Sequence, residues 1–216
     1  MMTIEGIRQR ILNIYRKAPA FYRKKKLNKN KFTIFSNNCW GGEVYECYDL
    51  IKQSPTVGLF FMSSDYIKFL SNIREYLKKP LVFINPKDSQ YYDKLKTEKN
   101  YGKYPVARLG DIEVFFMHYT DKQQAISKWN RRVKRIDWGH VLYKFNDQNG
   151  CTQKDIDAFI RLPYKNKICF TVNDDYVKAP YIIKINSPKN HNYIRASYEP
   201  YGNSKYVNIT KVINNL

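Results

Sequence analysis

The chain has 216 residues, of which 43% are apolar and 16% aromatic, which excludes a disordered protein and predicts a packed core. Its 38 Lys and Arg against 19 Asp and Glu give a formal net charge of +19, which favours anionic partners such as nucleic acid, anionic lipid or phosphorylated substrates. The four cysteines lack CxxC spacing, and no apolar run approaches the roughly 18 residues of a spanning helix. We therefore expect a cytoplasmic protein with reduced thiols.

Residues 1–31 are predicted to form a basic amphipathic N-terminal helix and a linker. Isoleucines recur at helical spacing between Ile4 and Ile14, and a dense basic run occupies residues 22–31. Two interpretations stay open. The helix docks on the core and the linker is solvated, or the segment is an interfacial helix with a polybasic patch, peripheral at the inner face of an anionic membrane.

A strand, a tight polar turn and a helix are predicted in succession between residues 32 and 50. The apolar run 32–35 ends at the turn 36–42, and an amphipathic stretch follows. In open α/β sheets ligands bind beyond the carboxyl ends of the strands, so this turn is predicted to line a binding site. Amide side chains, and glycines that permit close backbone approach or positive φ, suit that role. The candidate substrate-binding residues of the turn are Asn37, Asn38, Trp40, Gly41 and Gly42.

The alternation of strand and helix patterns continues along the rest of the chain. Strands are predicted over residues 56–62, 80–84, 106–109, 112–117, 141–145, 168–172 and 181–185. Helices are predicted over residues 66–78, about 121–135 and 153–160. These elements predict a layered α/β fold with a mixed, largely parallel sheet.

A shift of 110 residues aligns two parts of the chain without a gap. The turn 36–42 then falls on residues 146–152, and Phe35 falls on Phe145. This pattern favours two related α/β subdomains from an internal repeat, although few residues are identical. The predicted organisation is the N-terminal segment 1–31, a first α/β unit over 32–136 and a shorter second unit over 137–216 packed on the first.

Cys39 and His118 are the candidate catalytic residues. Both are predicted just beyond strand ends, and a Cys–His pair is the minimum for thiolate nucleophilic catalysis. His118 is also a candidate general base on its own. The alternatives stay open, because most free cysteines are buried apolar side chains and a histidine can be structural.

Positive charges and indoles alternate between Lys128 and Trp138. Arg131 and Arg135 share a helical face, and a planar guanidinium suits phosphate. Indoles can stack on a base or a sugar, whereas a charge run can also be an ordinary solvated helix face. The candidate substrate-binding residues near this run are Tyr119, Trp129, Arg131, Arg132, Arg135 and Trp138.

Several common catalytic motifs are missing from the sequence. It contains no P-loop, no GxGxxG, no HExxH and no GxSxG pattern. The commonest NTPase, dinucleotide, zinc-protease and hydrolase functions therefore lack support. We predict no cofactor and no metal site.

Four motifs together resemble a bacterial family of unknown function. They are the turn 36–42, the stretch 54–61, the pair His118-Tyr119 and the run 128–132. Members of this family are often described as exopolysaccharide or capsule biosynthesis proteins. The resemblance covers residues from about 30 to 185 and implies an α/β protein linked to surface polysaccharide, but it supplies no reaction and no catalytic residues.

The function expected from these observations is transfer from a phosphate-bearing donor during synthesis of a bacterial surface polysaccharide. The donor is an activated sugar or another phosphate-bearing molecule, and glycosyl, phospho-alcohol and acyl transfer all stay open. His118 would act as base, and Arg131, Arg132 and Arg135 would hold the donor. Two non-catalytic alternatives are a basic nucleic-acid-binding protein and a membrane-associated subunit of a glycan-assembly complex.

Overall fold

The computed structural model describes residues 18–186 and 191–216, together with Ile7, Arg10, Ile11 and Ile14. The described residues form seven strands: Thr33–Ser36 (β1), Val82–Ile84 (β2), Val106–Leu109 (β3), Ile112–Phe115 (β4), Val141–Asn146 (β5), Lys167–Thr171 (β6) and Ile182–Lys184 (β7). They also form eight α-helices: Ala20–Lys25 (α1), Trp40–Cys47 (α2), Ser63–Ser71 (α3), Ile73–Lys78 (α4), Tyr92–Leu95 (α5), Lys122–Val133 (α6), Gln153–Arg161 (α7) and Ile209–Asn214 (α8). The predicted helix within residues 1–31 lies largely outside the described residues.

The main sheet is parallel. Its strands lie in the order β1-β5-β6-β7, and Ser36 at the end of β1 is paired with Lys144 of β5. Strands β2, β3 and β4 form a small antiparallel sheet in that order. The predicted α/β fold with a largely parallel sheet is therefore confirmed.

Helices cover both faces of the parallel sheet, as its apolar strands require. Phe35 and Phe145 point to one face, where they pack in a core with side chains of α3, α6 and α7. Ile34 and Leu142 point to the other face and pack with side chains of α2 and α8. This alternation along β1 and β5 is the period of two that a strand imposes.

Two predicted elements are wrong in detail. Residues 56–62 do not form a strand; a turn occupies 55–58, and only Phe60 makes a bridge, to Phe115. Gly58 has a φ of +80°, which turns the chain in a way that glycine tolerates best. The predicted helix 66–78 is interrupted at Asn72, whose φ of −144° and ψ of 49° are not helical.

Side-chain caps mark the start of two of the predicted helices. The side chain of Asp121 accepts a hydrogen bond from the backbone N–H of Gln124 at 2.7 Å, at the start of α6. Thr152 and Asp155 form a reciprocal capping box at the start of α7. These local signals were sufficient to place both helix starts.

The turns that follow β1 and β5 lie side by side. The Asn37 side-chain amide donates to Oδ1 of Asn146 at 2.7 Å, so the two polar turns that the proposed repeat aligns are in direct contact. Strand β1 from residues 32–136 pairs with β5 from residues 137–216, and both belong to one sheet. The division into two related units stays a prediction.

Gly42→Ala is expected to lower the free energy of unfolding by about 1–3 kcal/mol. A Cβ at this position would approach Cγ1 of Val57 to 2.8 Å, although alanine is the better helix former. Urea unfolding measures the change. Gly139→Ala is the control, because its nearest neighbour, Oδ1 of Asp137, lies at 3.4 Å. The close packing is contradicted if Gly42→Ala is neutral or stabilising, or if adding Val57→Ala recovers no stability.

Candidate functional site

A buried polar cluster occupies the carboxyl ends of β1 and β5. It consists of Asn37, Asn38, Lys144, Asn146 and Glu199. The Lys144 ammonium contacts Oε1 of Glu199 at 2.6 Å and donates to Oδ1 of Asn38 at 2.8 Å. The amides of Asn146 and Asn38 donate to the two Glu199 oxygens at 2.8 and 3.3 Å. The two charges therefore have hydrogen-bond partners inside the protein.

The ion pair within this cluster is completely buried. The side chains of Lys144 and Glu199 have no exposed surface. Burial lowers the pKa of Lys144, and the opposite charge of Glu199 counteracts this shift. Burial raises the pKa of Glu199, and Lys144 counteracts it in turn. Each charge is tolerated because the other is present.

Asp147 anchors the segment that covers the cluster. Its carboxylate accepts hydrogen bonds at 2.7 Å from the Thr171 hydroxyl and from the backbone N–H groups of Val172 and Ile194. Ile194 and Glu199 belong to the C-terminal part of the chain, which thus closes the crevice where α/β sheets bind ligands. The predicted substrate-binding residues Asn37 and Asn38 are occupied by internal partners.

Trp40, Gly41 and Gly42 lie in the first turns of α2 and pack against neighbouring segments. The Trp40 indole is fully buried, and its Nε1–H donates to the carbonyl of Pro200 at 2.8 Å. A Cβ on Gly41 would approach the Ile34 side chain to 3.3 Å. These two glycines therefore allow the helix to lie close to β1 and to Val57.

The predicted arginine and tryptophan candidates do not converge on one point. Trp129 is buried in the core, and Trp138 stacks with the Arg74 guanidinium at 4.0 Å. Arg131 and Arg135 are exposed. Arg135 lines a separate cavity near α1, as described below.

Arg132 points inward and joins two segments. Its Nη1 donates to the carbonyl of Val57 at 2.9 Å and to the Tyr119 hydroxyl at 2.6 Å. The same hydroxyl donates to the Val57 carbonyl at 2.6 Å. Arg132 and Tyr119 are therefore positioning residues in this structure and present no free face to a substrate.

A cavity of about 330 Å³ brings the two predicted catalytic residues together. It is called the His118 cavity here. The residues that line it are Cys39, Gly42, Glu43, Glu46, Lys52, Val57, Gly58 and His118. The backbone N–H of His118 donates to the Gly58 carbonyl at 3.0 Å, which fixes the histidine beside the 55–58 turn.

The charges around the His118 cavity set its acid–base properties. Burial and the positive charge of Lys52 lower the pKa of His118, and Glu46 opposes them. Burial raises the pKa of the Cys39 thiol to about 12, with a further increase from Glu43. At neutral pH the imidazole is therefore available as a base, whereas Cys39 is a protonated thiol.

Positive side chains lie beside this cavity. Burial lowers the pKa of Lys128, and the nearby charges of Arg132, Lys52 and Arg131 lower it further. The Lys128 ammonium also lies 5.3 Å from the centre of the Tyr119 ring. Tyr119 directly follows His118 in the sequence. The charges of Lys52 and Arg131 thus act on Lys128, and these three side chains are called the positive region. Within it, the Lys52 ammonium is paired with Oε1 of Glu46 at 2.6 Å.

Sequence reasoning missed several of these residues. Lys144 is a charged residue in the middle of an apolar strand, a signal from which a buried partner could have been predicted. Nothing local in the sequence identified Glu199 as that partner. Glu43 and Lys52 carried no motif, and only the fold places them beside His118.

Within the described part of the chain, no three His, Cys, Asp or Glu side chains are arranged to hold a metal ion. None of its helices combines the length and the apolar character needed to cross a bilayer. The four cysteines all carry free thiols.

The fold and these contacts define an α/β protein with a parallel sheet, a closed crevice and a small polar cavity beside it. The family model described as "Domain of unknown function (DUF1919)" matches residues 11–216, and the chain belongs to this family. It is also 36% identical over 148 residues to an uncharacterised protein of Haemophilus influenzae. That match covers 68% of this chain and 65% of the relative, so the chain spans less than two thirds of the relative's length. The resemblance to a family of unknown function is confirmed.

Glu199→Gln is expected to lower the free energy of unfolding by about 3–5 kcal/mol, because it leaves the Lys144 charge buried without its counterion. Urea unfolding measures the loss. The double variant Lys144→Met/Glu199→Gln removes both charges and should recover a large part of it. A double variant as unstable as the single one, or a single loss below about 1 kcal/mol, contradicts the role of this pair.

The pKa of His118 should be found below its usual value of 6.5. Lys52→Gln is expected to raise it and Glu46→Gln to lower it, because each removes one of the charges that act on the imidazole. Proton NMR titration of the ring, assigned with His118→Gln, measures these shifts. Since the unfolded state binds the proton more readily, His118 should also reduce stability as the pH falls through 6.5. A midpoint above 6.5 contradicts the electrostatic account.

Proposed function

We propose that this protein is a transferase of bacterial surface-polysaccharide biosynthesis that takes a phosphate-bearing activated donor into the His118 cavity. The observation that carries the proposal is that His118 shares one cavity with Glu43, Glu46 and Lys52, next to the positive region. The polysaccharide context rests on the motifs that resemble the exopolysaccharide and capsule proteins.

The positive region gives the donor phosphate a place to bind. Lys52, Lys128 and Arg131 supply charges that attract a phosphate and stabilise negative charge as the donor bond breaks. Glu43 lies on the cavity wall, and its carboxylate would repel a phosphate bound next to it. We therefore assign the phosphate to the side of Lys128 and Arg131, and the acceptor hydroxyl to the side of Glu43.

His118 has the properties of a general base in this scheme. Its lowered pKa leaves the imidazole neutral at physiological pH, so a ring nitrogen can accept a proton. The acceptor oxygen forms a bond to the transferred group as its proton moves to His118. The bond between that group and the donor phosphate breaks, and its electron pair stays on the phosphate.

Cys39 has no covalent role in the proposed reaction. Its pKa of about 12 leaves too little thiolate for nucleophilic attack at neutral pH. Acyl transfer through this thiol is therefore not part of the scheme, and Cys39→Ser should retain turnover. Glycosyl and phospho-alcohol transfer both fit the remaining residues.

The proposal predicts that one class of phosphate-bearing donor stabilises the protein. The screen measures melting temperature with nucleotide sugars, cytidine-diphosphate alcohols, acyl-coenzyme A and single-stranded DNA at two salt concentrations. A ligand at a hundred times its Kd adds about 2.7 kcal/mol, which raises the melting temperature by about 5–10 °C at this size.

Variants then separate binding from chemistry. Lys128→Gln/Arg131→Gln should abolish the shift, whereas Arg161→Gln on α7 serves as the arginine control and should retain it. With the donor that binds, His118→Gln should keep the shift and lose turnover by about 10²–10⁴-fold. Stabilisation by DNA alone, or a shift that survives Lys128→Gln/Arg131→Gln, contradicts the proposal.

A further inference from the structure

We propose a binding site for anionic phospholipid headgroups between α1 and the loop that follows α2, on a surface that docks the protein on a bilayer. The lipid-docking surface is defined by Phe21, Lys24, Lys31, Ile51 and Arg135. None of these residues lines the His118 cavity, so the inference does not depend on the proposed reaction.

The centre of this surface is a cavity of about 400 Å³. Lys24, Lys31 and Arg135 contribute three positive charges to its walls. Lys24 pairs with Asp49 at 3.6 Å, and among the described residues Lys31 and Arg135 form no ion pair. Two cations without a counterion at one cavity are suited to a phosphodiester, since each can bind one of its oxygens.

Apolar side chains at the same place are exposed to solvent. Ile51 lines the cavity and is 68% exposed, although isoleucine is among the residues most often buried. Phe21 is 58% exposed and lies one helical turn before Lys24, on the same face of α1. Cations beside exposed apolar side chains are the arrangement that binds an anionic bilayer interface.

Further exposed apolar side chains precede α1 in the sequence. Ile7, Ile11 and Ile14 are helical and 43%, 48% and 66% exposed. Their spacing of four and three residues places them on one helical face. A stripe of three exposed isoleucines in a chain of net charge +19 is the pattern of an interfacial helix.

The segment that carries α1 is fixed to the body of the protein. The Asn214 side chain donates to the Lys26 carbonyl at 2.9 Å and accepts from the Asn28 N–H at 2.9 Å. The Arg23 guanidinium donates to the carbonyl of Cys47 at 3.2 Å. The basic run is therefore held in a defined place beside the cavity, which the alternative of a solvated linker does not provide.

A bilayer explains this surface better than nucleic acid does. Both partners offer phosphodiesters, but Ile51 and the N-terminal isoleucines cannot hydrogen-bond to a base or stack on it. Insertion among acyl chains removes these side chains from water. Of these two partners, an anionic lipid surface accounts for both the charge and the apolar exposure.

The experiment measures co-sedimentation of the full chain with vesicles of phosphatidylcholine alone and with 30% phosphatidylglycerol. We expect binding to the anionic vesicles only. Lys31→Gln/Arg135→Gln should lower the partition coefficient by about 30-fold, because each cation near an anionic leaflet contributes about fivefold. Ile51→Ser should lower it by about tenfold through lost insertion.

Matched variants on other surfaces provide the controls. Lys154→Gln/Arg161→Gln removes two charges from α7, which packs on the face of the sheet opposite α2. Val82→Ser removes a 55% exposed apolar side chain from β2. Both should bind vesicles as the unmodified protein does. Equal binding to neutral vesicles, equal losses in the controls, or an effect of Lys31→Gln/Arg135→Gln on oligonucleotide binding alone would overturn the proposal.

Discussion

The buried guanidinium of Arg132 connects α6 to two of the segments that line the His118 cavity. It donates to the Val57 carbonyl and to the Tyr119 hydroxyl, and thereby ties α6 to the 55–58 turn and to the end of β4. The same arrangement determines the position of His118, because its backbone N–H donates to the Gly58 carbonyl. The Nη1 group donates to both acceptors from a planar guanidinium, and this geometry holds the turn and the segment after β4 together.

The closed crevice at the ends of β1 and β5 explains why the candidate site lies beside the sheet. A ligand at the usual position for an α/β fold would have to displace Glu199 from Lys144, Asn38 and Asn146. The chain thus supplies its own carboxylate to a crevice that in other α/β proteins is filled by a substrate. The open polar space is on the other side of α2, where Cys39, Glu43 and His118 meet.

Local patterns predicted the fold and part of the site. Short stretches of sequence determine the alternation of side chains along β1 and β5 and the caps of α6 and α7. They also determine that Cys39 and His118 lie beyond strand ends. Contacts between distant residues were not predictable in this way. Helical spacing indicated that Arg131 and Arg135 share a face, but not that Arg132 would point inward. Likewise the two glycines of α2 indicated that another group lies close to the helix backbone. The sequence did not distinguish a ligand from the side chains of Ile34 and Val57, which occupy this position in the structure.

The assignment of the His118 cavity as the functional site depends most directly on where a phosphate-bearing ligand binds. Titration of the ¹⁵N-labelled protein with inorganic pyrophosphate, followed by two-dimensional NMR, locates the site without knowledge of the donor. The account predicts saturable shifts centred on the backbone amides of Lys52, Gly58, His118 and Lys128. Shifts confined to α1 and the loop after α2, or to the C-terminal part of the chain around Glu199, would contradict the assignment of the His118 cavity as the functional site.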